Sequence, residues 1–353
     1  MNFRDKDIIV LFGAGASADA EIPTSVEMVE NIEQKVQKEE VWNEYEEVFN
    51  YIKSAIHYAD GIKGVFNESI NIERLVNTLS ELEKKEEHTI YPFIGNWNMK
   101  LLELAGQDFE NIRKFKTLII DQLKDWVTMD DYNKGKYYSG VARFQKEYNF
   151  SLRVFTLNYD LCLEKNCSNV KIERGFDERS RTWDWRRFEV NENEPVDIFL
   201  YKLHGSIDWK RDNSGNLTFS DDVKRADTPD LIFGTNYKLQ YVDPYLFFVY
   251  ELRKYSLEAK LIVTIGYGFG DEHINGIIGQ AAKSNDGLRL VCVGKGLNRE
   301  MVKGALKISG DQTEDDNRIE TVEKAATEYL QEGLTIEKVS AFFPEERNEI
   351  DAF

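Results

Sequence analysis

Short runs of consecutive apolar residues recur along the chain and predict buried strands. The first runs from Asp7 to Phe12 (DIIVLF) and is rich in β-branched residues. After a long interval four more follow, at residues 152–156, 198–203, 261–266 and 289–293. None of the five alternates cleanly between apolar and polar positions, which is typical of parallel strands covered on both faces.

A helical periodicity fills the intervals between these runs. From about residue 37 to 149 apolar side chains recur at three- and four-residue spacing, which predicts a large helical insertion with solvated charges on its outer faces. Residues 244–260 and 273–285 are also expected to be helical, and a weaker helical pattern lies near 320–331. Residues 177–197 are expected to form a loop. Strands alternating with helices indicate an α/β fold with an open, mostly parallel, doubly wound sheet.

Composition narrows the class of protein. The chain has 353 residues, of which 42% are hydrophobic, enough for a sizeable core. Its 45 basic and 63 acidic residues give a net charge of -18, which argues against direct binding of nucleic acid or of an anionic membrane surface. No apolar run approaches the ~20 residues of a membrane span, and the first residues do not resemble a signal peptide. The three cysteines lack paired spacing, which excludes a disulfide framework and fits a reducing cytoplasm.

The first predicted strand is followed by a glycine-rich turn. Gly13, Ala14, Gly15 and Ser17 lie in a stretch that nearly fits G-x-G-x-x-G/A, a pattern that lets backbone N–H groups approach a phosphate. A tight turn without a ligand would give the same pattern. The acidic residue that a usual NAD dehydrogenase carries at the end of a second strand, about 20 residues on, has no counterpart here, because that region is helical.

Polar residues follow the next two strands, at the sheet edge where open α/β proteins bind ligands. Asn158 and Asp160 follow the second strand and can point into one cleft, or form an Asx turn that caps the next helix. His204, Gly205 and Ser206 follow the third. A histidine there suits acid/base chemistry because it titrates near neutrality, although a structural histidine bonded to backbone remains an alternative.

Glycines also follow the fourth and fifth strands. The segment after the fourth strand is Gly266–Asn275, and its glycines suggest close approach of the backbone to a ligand. His273 in this segment is expected to cap or support the site, since no second metal ligand stands at helical spacing from it. The loop that begins at Gly294 is expected to lie against a nucleotide base.

In their order along the chain, these motifs resemble those of the sirtuin-like superfamily, and more specifically its bacterial defence-associated branch. That branch has a G-A-G-x-S loop with I-P-T shortly after it, then T-x-N-Y-D, L-H-G-S and G-Y-[SG]-F-x-D-x-H-I-N. The corresponding segments here are Gly13–Ser17, Ile22–Thr24, Thr156–Asp160, Leu203–Ser206 and Gly266–Asn275. The resemblance covers most of the chain, from residue 13 to about 296.

The resemblance implies a Rossmann-like NAD-binding domain made of residues 1–36 and 150–310. Residues 37–149 would be the helical insertion, and residues 311–353 an acidic C-terminal segment. Asn158 and His204 would be the catalytic residues. The residues implied to surround NAD are Gly13, Ala14, Gly15, Ser17, Pro23, Thr24, Asp160, Gly205, Ser206, Gly266, Tyr267, Gly268, Asp271, His273 and Gly294.

The chain departs from classical sirtuin deacylases. Those enzymes carry two pairs of zinc-binding cysteines after the His-Gly pair, whereas only Cys292 follows His204 here, so that a four-thiolate site cannot form. The acidic, aromatic and arginine residues that follow Ile-Pro in deacylases are replaced by Thr24-Ser25-Val26. Within the defence branch, Gly268 replaces a frequent serine.

The resemblance therefore implies an NAD hydrolase that releases nicotinamide and ADP-ribose without a metal. It would act as the effector of an anti-phage, abortive-infection system. Activation would come from homo-oligomerisation or from a partner such as a HerA-type DNA-translocating ATPase. Two alternatives stay open: an NAD-dependent protein deacylase that lacks the zinc module, and a non-catalytic NAD- or ADP-ribose-binding scaffold subunit.

Overall fold

The five predicted strands lie together in one parallel sheet. The computed structural model describes residues 3–66, 69–84, 98–189, 195–223, 229–232, 243–308 and 318–343. The strands are β1 (Ile8–Phe12), β2 (Leu152–Thr156), β3 (Ile172–Glu173), β4 (Ile198–Lys202), β5 (Trp209–Arg211), β6 (Leu217–Phe219), β7 (Leu261–Ile265), β8 (Arg289–Val293) and β9 (Ile319–Val322). Seven of them form a sheet in the order β3-β4-β2-β1-β7-β8-β9, and all of its pairings are parallel. This confirms the predicted Rossmann-like α/β fold class.

Strand β1 lies at the centre of the sheet. Every residue of β1, β2, β4 and β7 is buried, which explains why these strands appear in the sequence as unbroken apolar runs. On one side Phe12 pairs with Thr156 of β2, and on the other with Ile265 of β7. The chain order reverses at β1, so the crevice beyond its carboxyl end is the topological switch point of the sheet.

The two edge strands, β3 and β9, were not predicted from the sequence. Strand β3 has two residues, and β9 has four, of which only Ile319 is buried. Strand β9 also corrects the sequence interpretation, which expected a weak helix near 320–331. Only the later part of that interval is helical. An edge strand with a single buried residue has too little apolar periodicity to be distinguished from a helix.

The helices match the predicted helical regions closely. Helices are present at both of the intervals predicted, 244–260 and 273–285. The helices are α1 (Ser25–Lys38), α2 (Glu40–Asn43), α3 (Glu46–Ile62), α4 (Ile72–Glu83), α5 (Met99–Ala105), α6 (Glu110–Val127), α7 (Ser139–Tyr148), α8 (Cys162–Asn166), α9 (Tyr245–Glu258), α10 (Glu272–Ser284), α11 (Arg299–Leu306), α12 (Ala326–Glu328) and α13 (Ile336–Ser340). None of the helices within the described ranges combines the length and apolarity needed to cross a bilayer.

The chain divides into two compact units. One consists of Met1–Ile22, Thr128–Leu231 and Lys238–Phe353, and the other of Pro23–Val127 with Ile232–Tyr237. The division after residue 22 places α1 in the helical unit, although the sequence interpretation grouped it with the sheet. The division after residue 127 places α7 in the sheet unit. The domain boundaries inferred from sequence stay a prediction.

The helical unit has its own aromatic core and a well-capped first helix. The Phe115 ring contacts the rings of Trp42, Tyr45 and Phe49. Helix α1 begins with a capping box, in which Glu27 N donates to Thr24 Oγ1 and Thr24 N donates to Glu27 Oε2 over 2.7 Å. The observed role of Thr24 is therefore to start this helix.

Candidate functional site

The glycine turn after β1 packs directly on the end of β7. Gly13 N donates to Ile265 O over 3.0 Å, and Gly15 N donates to Gly266 O over 2.9 Å. A Cβ on Gly13 would lie 2.6 Å from the Cα of Tyr267, so only glycine permits this backbone crossing. Two of the N–H groups that the sequence analysis offered to a phosphate are thus used within the protein.

A buried hydrogen-bond cluster centres on the hydroxyl of Ser17. Ser17 Oγ donates to Asp160 Oδ2 over 2.7 Å and accepts from Asn158 Nδ2 over 3.1 Å. Its third contact is with the hydroxyl of Tyr138, at 2.8 Å. The sequence placed Ser17, Asn158 and Asp160 at the ends of two different strands, and the structure brings them together. We call these three residues and Tyr138 the Ser17 cluster.

Asp160 combines the two roles that the sequence left open. Its Oδ2 belongs to the Ser17 cluster, while its Oδ1 accepts from Cys162 N over 2.8 Å at the start of α8. The Asx-type cap and the inward contact therefore coexist on one carboxylate. The peptide carbonyl of Asp160 also accepts from the buried ammonium of Lys202, at 2.5 Å. Hydrogen bonds thus fix both the side chain and the backbone carbonyl of Asp160.

Lys202 belongs to a second set of charges, two buried and two half-buried, next to the Ser17 cluster. Its Nζ lies 3.1 Å from Glu164 Oε1, and Arg174 Nη1 lies 2.8 Å from Asp208 Oδ2. Burial alone would raise the pKa of the Asp208 carboxyl, but the guanidinium of Arg174 and the ammonium of Lys202 outweigh burial and hold that pKa below its usual value. No sequence motif marks these four residues.

Asp208 is expected to make the folded protein sensitive to acid. Because its pKa is lower in the folded chain than in the unfolded chain, its stabilising contribution is complete above the ordinary aspartate pKa of about 4 and is lost as the pH falls through the lower folded value. Urea unfolding between about pH 6 and 3 should therefore show a falling free energy of unfolding. The Asp208→Asn variant should be less stable by about 3 kcal/mol at neutral pH, because it removes the nearer of the two carboxylates that pair with Arg174 and leaves only Glu164, 3.7 Å away. It should also lose part of the acid dependence.

The control for this experiment is Asp125→Asn, which neutralises an exposed carboxylate on α6. As the pH falls, its free energy of unfolding should decrease in the same way as that of the unmodified protein. If Asp208→Asn and Asp125→Asn have the same slope against pH, the assignment of the acid sensitivity to Asp208 is wrong.

His204 and Asp271 form a buried pair that spans two strand ends. His204 Nε2 lies 3.1 Å from Asp271 Oδ2, and the side chains are 1% and 4% exposed. The other oxygen, Oδ1, accepts from His273 N at 3.0 Å and from Ile274 N at 3.2 Å, which caps α10. A carboxylate accepts hydrogen bonds, so the ring N–H that faces Asp271 is that of Nε2. Asp271, predicted as a nucleotide contact, is placed to orient His204.

The segment after β7 is held by its own hydrogen bonds. Tyr267 OH donates to Asn275 Oδ1, and Asn275 Nδ2 donates to Phe269 O, both over 2.7 Å. Gly266 adopts a φ of 64°, and a Cβ there would lie 2.0 Å from Ala16 N. By contrast, a Cβ on Gly268 would meet no atom of the described residues within 4 Å. Among the described residues, the space that a side chain at position 268 would enter is therefore open.

The remaining candidates are located as follows. Gly205 has a φ of 90°, and a Cβ there would lie 2.1 Å from Asp230 O, which gives it a backbone role. Ser206 is fully buried, with Oγ 3.5 Å from Tyr159 O. Gly294 N donates to Val322 O at the end of β8. Pro23 and Thr24 belong to the helical unit, whereas the other candidates lie in the sheet unit.

Backbone hydrogen bonds bring the two clusters to one edge of the sheet. Leu157 N donates to Phe12 O over 3.0 Å, which joins the ends of β1 and β2, and Leu203 N donates to Thr156 O over 2.9 Å, which joins β2 and β4. The rings of Tyr159 and His204 have centroids 6.3 Å apart. The Ser17 cluster and the His204–Asp271 pair thus flank the switch point at β1, where open α/β sheets bind ligands.

Comparison with known protein families gives a match that covers most of the strand ends described above. Residues 152–296 match a SIR2-like domain. The match includes Asn158, Asp160, His204 and Asp271, and it leaves out the glycine turn after β1. Among curated proteins no match was found.

Solved structures of Sir2 homologues are similar to this chain at low identity. A Sir2 homologue in complex with NAD is 13% identical, with a TM-score of 0.42, and the alignment covers 95% of this chain and 90% of that chain. A mutant Sir2 homologue in complex with 2′-O-acetyl ADP ribose is also 13% identical, with a TM-score of 0.44 and coverages of 95% and 92%.

Proposed function

We propose that this protein binds NAD at the switch point of its sheet and hydrolyses the nicotinamide–ribose bond. The observation that carries the proposal is the position of the Ser17 cluster and the His204–Asp271 pair at adjacent strand ends. Asn158, Asp160, His204 and Asp271 lie within the stretch that matches a SIR2-like domain, whereas Ser17 and Tyr138 precede it. The NAD complex among the similar structures is consistent with this choice of ligand.

For this reaction the protein needs to position NAD and water and to accept one proton. Nicotinamide leaves C1′ of the ribose as a neutral molecule and takes the bonding electrons, so that positive charge develops on the ribose. Water then forms the new bond to C1′ and loses a proton, which His204 accepts at Nδ1. The products are nicotinamide and ADP-ribose, and the proton afterwards passes to solvent. Asn158 would orient the water or a ribose hydroxyl, and the nearby carboxylate of Asp160 would favour the developing positive charge.

The cysteines favour hydrolysis over zinc-supported deacylation. All three are buried and free. Cys162 lies in α8 and Cys292 in β8, so the two stand in separate elements of the sheet unit. Burial raises the pKa of the Cys292 thiol to about 12, which disfavours the thiolate that zinc requires. The deacylase alternative therefore has no thiolate module to support a peptide site.

Incubation of the purified protein with NAD should release nicotinamide and ADP-ribose in equal amounts. Chromatography of the reaction over time measures both products. A parallel incubation with NAD and an acyl-lysine peptide separates the alternatives, since a deacylase would consume NAD only with the peptide and would form O-acyl-ADP-ribose. Calorimetric titration with NAD identifies the scaffold alternative, in which NAD binds and stays intact. If NAD neither binds nor is cleaved, the proposal is wrong.

We also propose that the enzyme works in the cytoplasm as the effector of an anti-phage defence system. The resemblance of its motifs to the defence-associated branch supports this proposal, together with the damage that unrestrained loss of NAD would cause to its host. Restraint would be released by homo-oligomerisation or by a partner such as a HerA-type ATPase. Light scattering combined with the NAD assay, with and without that partner, tests this point: a monomer that is fully active alone would contradict it.

A further inference from the structure

We infer that Tyr138 is a positioning residue for the proposed NAD site, because its hydroxyl fixes Ser17 and thereby the orientation of the Asn158 amide. The inference rests on the proposed function. Tyr138 precedes β2 in the chain and stands at the end of a 3₁₀-helix, Tyr132–Tyr138, in a region where the sequence indicated only a helical insertion. It is 2% exposed, and its hydroxyl lies 2.8 Å from Ser17 Oγ.

The direction of each hydrogen bond follows from counting protons. Ser17 has a single hydroxyl proton, and it donates that proton to the carboxylate of Asp160. The Tyr138 hydroxyl must therefore donate to Ser17 rather than accept from it. Ser17 Oγ then accepts two hydrogen bonds, one from Tyr138 and one from Asn158, and donates one. Its hydrogen-bonding capacity is full, so its rotation is fixed.

This arrangement determines which end of the Asn158 amide points away from the cluster. The NH₂ group donates to Ser17 Oγ over 3.1 Å, since Ser17 has no proton left to offer to an amide oxygen. The backbone N of Asn158 donates to Thr156 Oγ1, which holds the residue from its other side. The amide oxygen Oδ1 is therefore the atom that Asn158 presents to a ribose hydroxyl or to water, and it acts as an acceptor.

Tyr138 is well anchored for this role. Its ring lies 5.4 Å from that of Phe12, and its backbone carbonyl accepts from the thiol of Cys167 at 3.2 Å. Burial raises the pKa of the Tyr138 hydroxyl well above its usual value, so the hydroxyl keeps its proton at neutral pH. A rigid donor of this kind is what precise orientation of a catalytic amide requires.

The adjacent tyrosine supplies a matched control. Tyr137 is buried to a similar extent, and its hydroxyl donates over 2.7 Å to the carbonyl of Ala16, in the same turn. Tyr137→Phe therefore removes one buried hydroxyl beside the glycine turn without touching the Ser17 hydroxyl. Tyr138→Phe removes one hydroxyl and with it one of the three hydrogen bonds that fix the Ser17 hydroxyl.

We expect Tyr138→Phe to lower kcat for NAD hydrolysis by about ten- to a hundredfold with a nearly unchanged KM, because a misoriented Asn158 impairs the reaction more than binding. Tyr137→Phe should lower kcat by less than about threefold, although both variants lower the urea midpoint to a similar extent. Equal kcat values for the two variants would overturn the inference, since they would show only a general effect of lost packing or hydrogen bonding.

A double-mutant cycle tests the hydroxyl contact without relying on activity. In urea unfolding, Tyr138→Phe should shift the midpoint less in the Ser17→Ala background than in the unmodified protein, because the two side chains share one hydrogen bond. Additive shifts would overturn the positioning role while leaving the NAD assay of the unmodified protein, and thus the proposed function, unaffected. An unmodified protein that neither binds nor cleaves NAD would instead overturn the proposed function, and the positioning role with it.

Discussion

Replacing His204 with alanine is expected to lower the rate of nicotinamide release by about 10²–10⁴-fold, the range typical for loss of a general acid/base group. The imidazole would accept the proton that water loses as it attacks C1′ of the ribose. Because His204 is buried in contact with Asp271, a variant without the ring offers no substitute for this proton transfer. Single-turnover measurements with NAD in excess over its KM should show the loss in the rate of the chemical step.

Asp271→Asn tests the orienting carboxylate separately. Asparagine is as good a helix cap as aspartate, so α10 should still begin at the same residue. An amide, however, no longer requires the proton to sit on Nε2 of His204, and the population of the working tautomer falls. We expect a loss of similar order to that of His204→Ala, because orienting carboxylates in acid/base pairs are worth up to about 10⁴-fold.

The control for both variants is His57→Ala, which removes an exposed histidine from α3. Its NAD turnover should equal that of the unmodified protein. Activity that persists in His204→Ala, with urea unfolding unchanged, would show that another group accepts the proton. It would remove the assignment of His204 as the acid/base residue.

The strand ends of this fold could be predicted from sequence because the signals there are local. A buried parallel strand is an unbroken apolar run, and the residue that follows it must be at the carboxyl edge of the sheet. Asn158, His204 and Gly266 each stand within two residues of the end of such a run. Their shared edge therefore follows from the strand assignments alone, and the structure places them there.

Contacts between side chains from distant segments of the chain could not be predicted from the sequence. Tyr138 contacts Ser17, which lies more than a hundred residues away along the chain. Arg174 pairs with Asp208 and directly follows an edge strand of only two residues. Neither pair has a fixed spacing or a periodicity, so no pattern links its members. The carboxylate of Asp271 shows the same limit: the motif places it at a helix start, but its contact with His204 depends on how β4 and β7 are arranged about β1.

Gly266→Ala is expected to destabilise the fold by about 3–5 kcal/mol, a large share of the 5–15 kcal/mol that stabilises a typical domain. Gly266 has a φ of 64°, a left-handed conformation that costs an alanine about 1–2 kcal/mol. The added Cβ would also lie 2.0 Å from Ala16 N and 2.3 Å from Gly15 C, and both are backbone atoms that cannot rotate away. The glycine turn after β1 would have to leave the end of β7. Urea unfolding should therefore show a lower midpoint, and the remaining folded protein should bind NAD less tightly.

Gly268→Ala separates this backbone effect from a general intolerance to substitution in the same loop. Within the part of the chain that the structure describes, a Cβ at Gly268 meets no atom within 4 Å, and the φ of Gly268 lies outside the left-handed region. The free energy of unfolding of Gly268→Ala should therefore change by no more than about 0.5 kcal/mol. Equal destabilisation by the two alanines would contradict the argument, since it would mean that the loop after β7 is held by features other than its contact with the glycine turn. If Gly266→Ala alone is unstable and binds NAD weakly, the crossing of the two backbones is what shapes the crevice at the switch point. The glycines at this edge then act mainly by letting the strand ends meet, and under the proposed function the polar groups of the Ser17 cluster and the His204–Asp271 pair would bind and cleave the nucleotide.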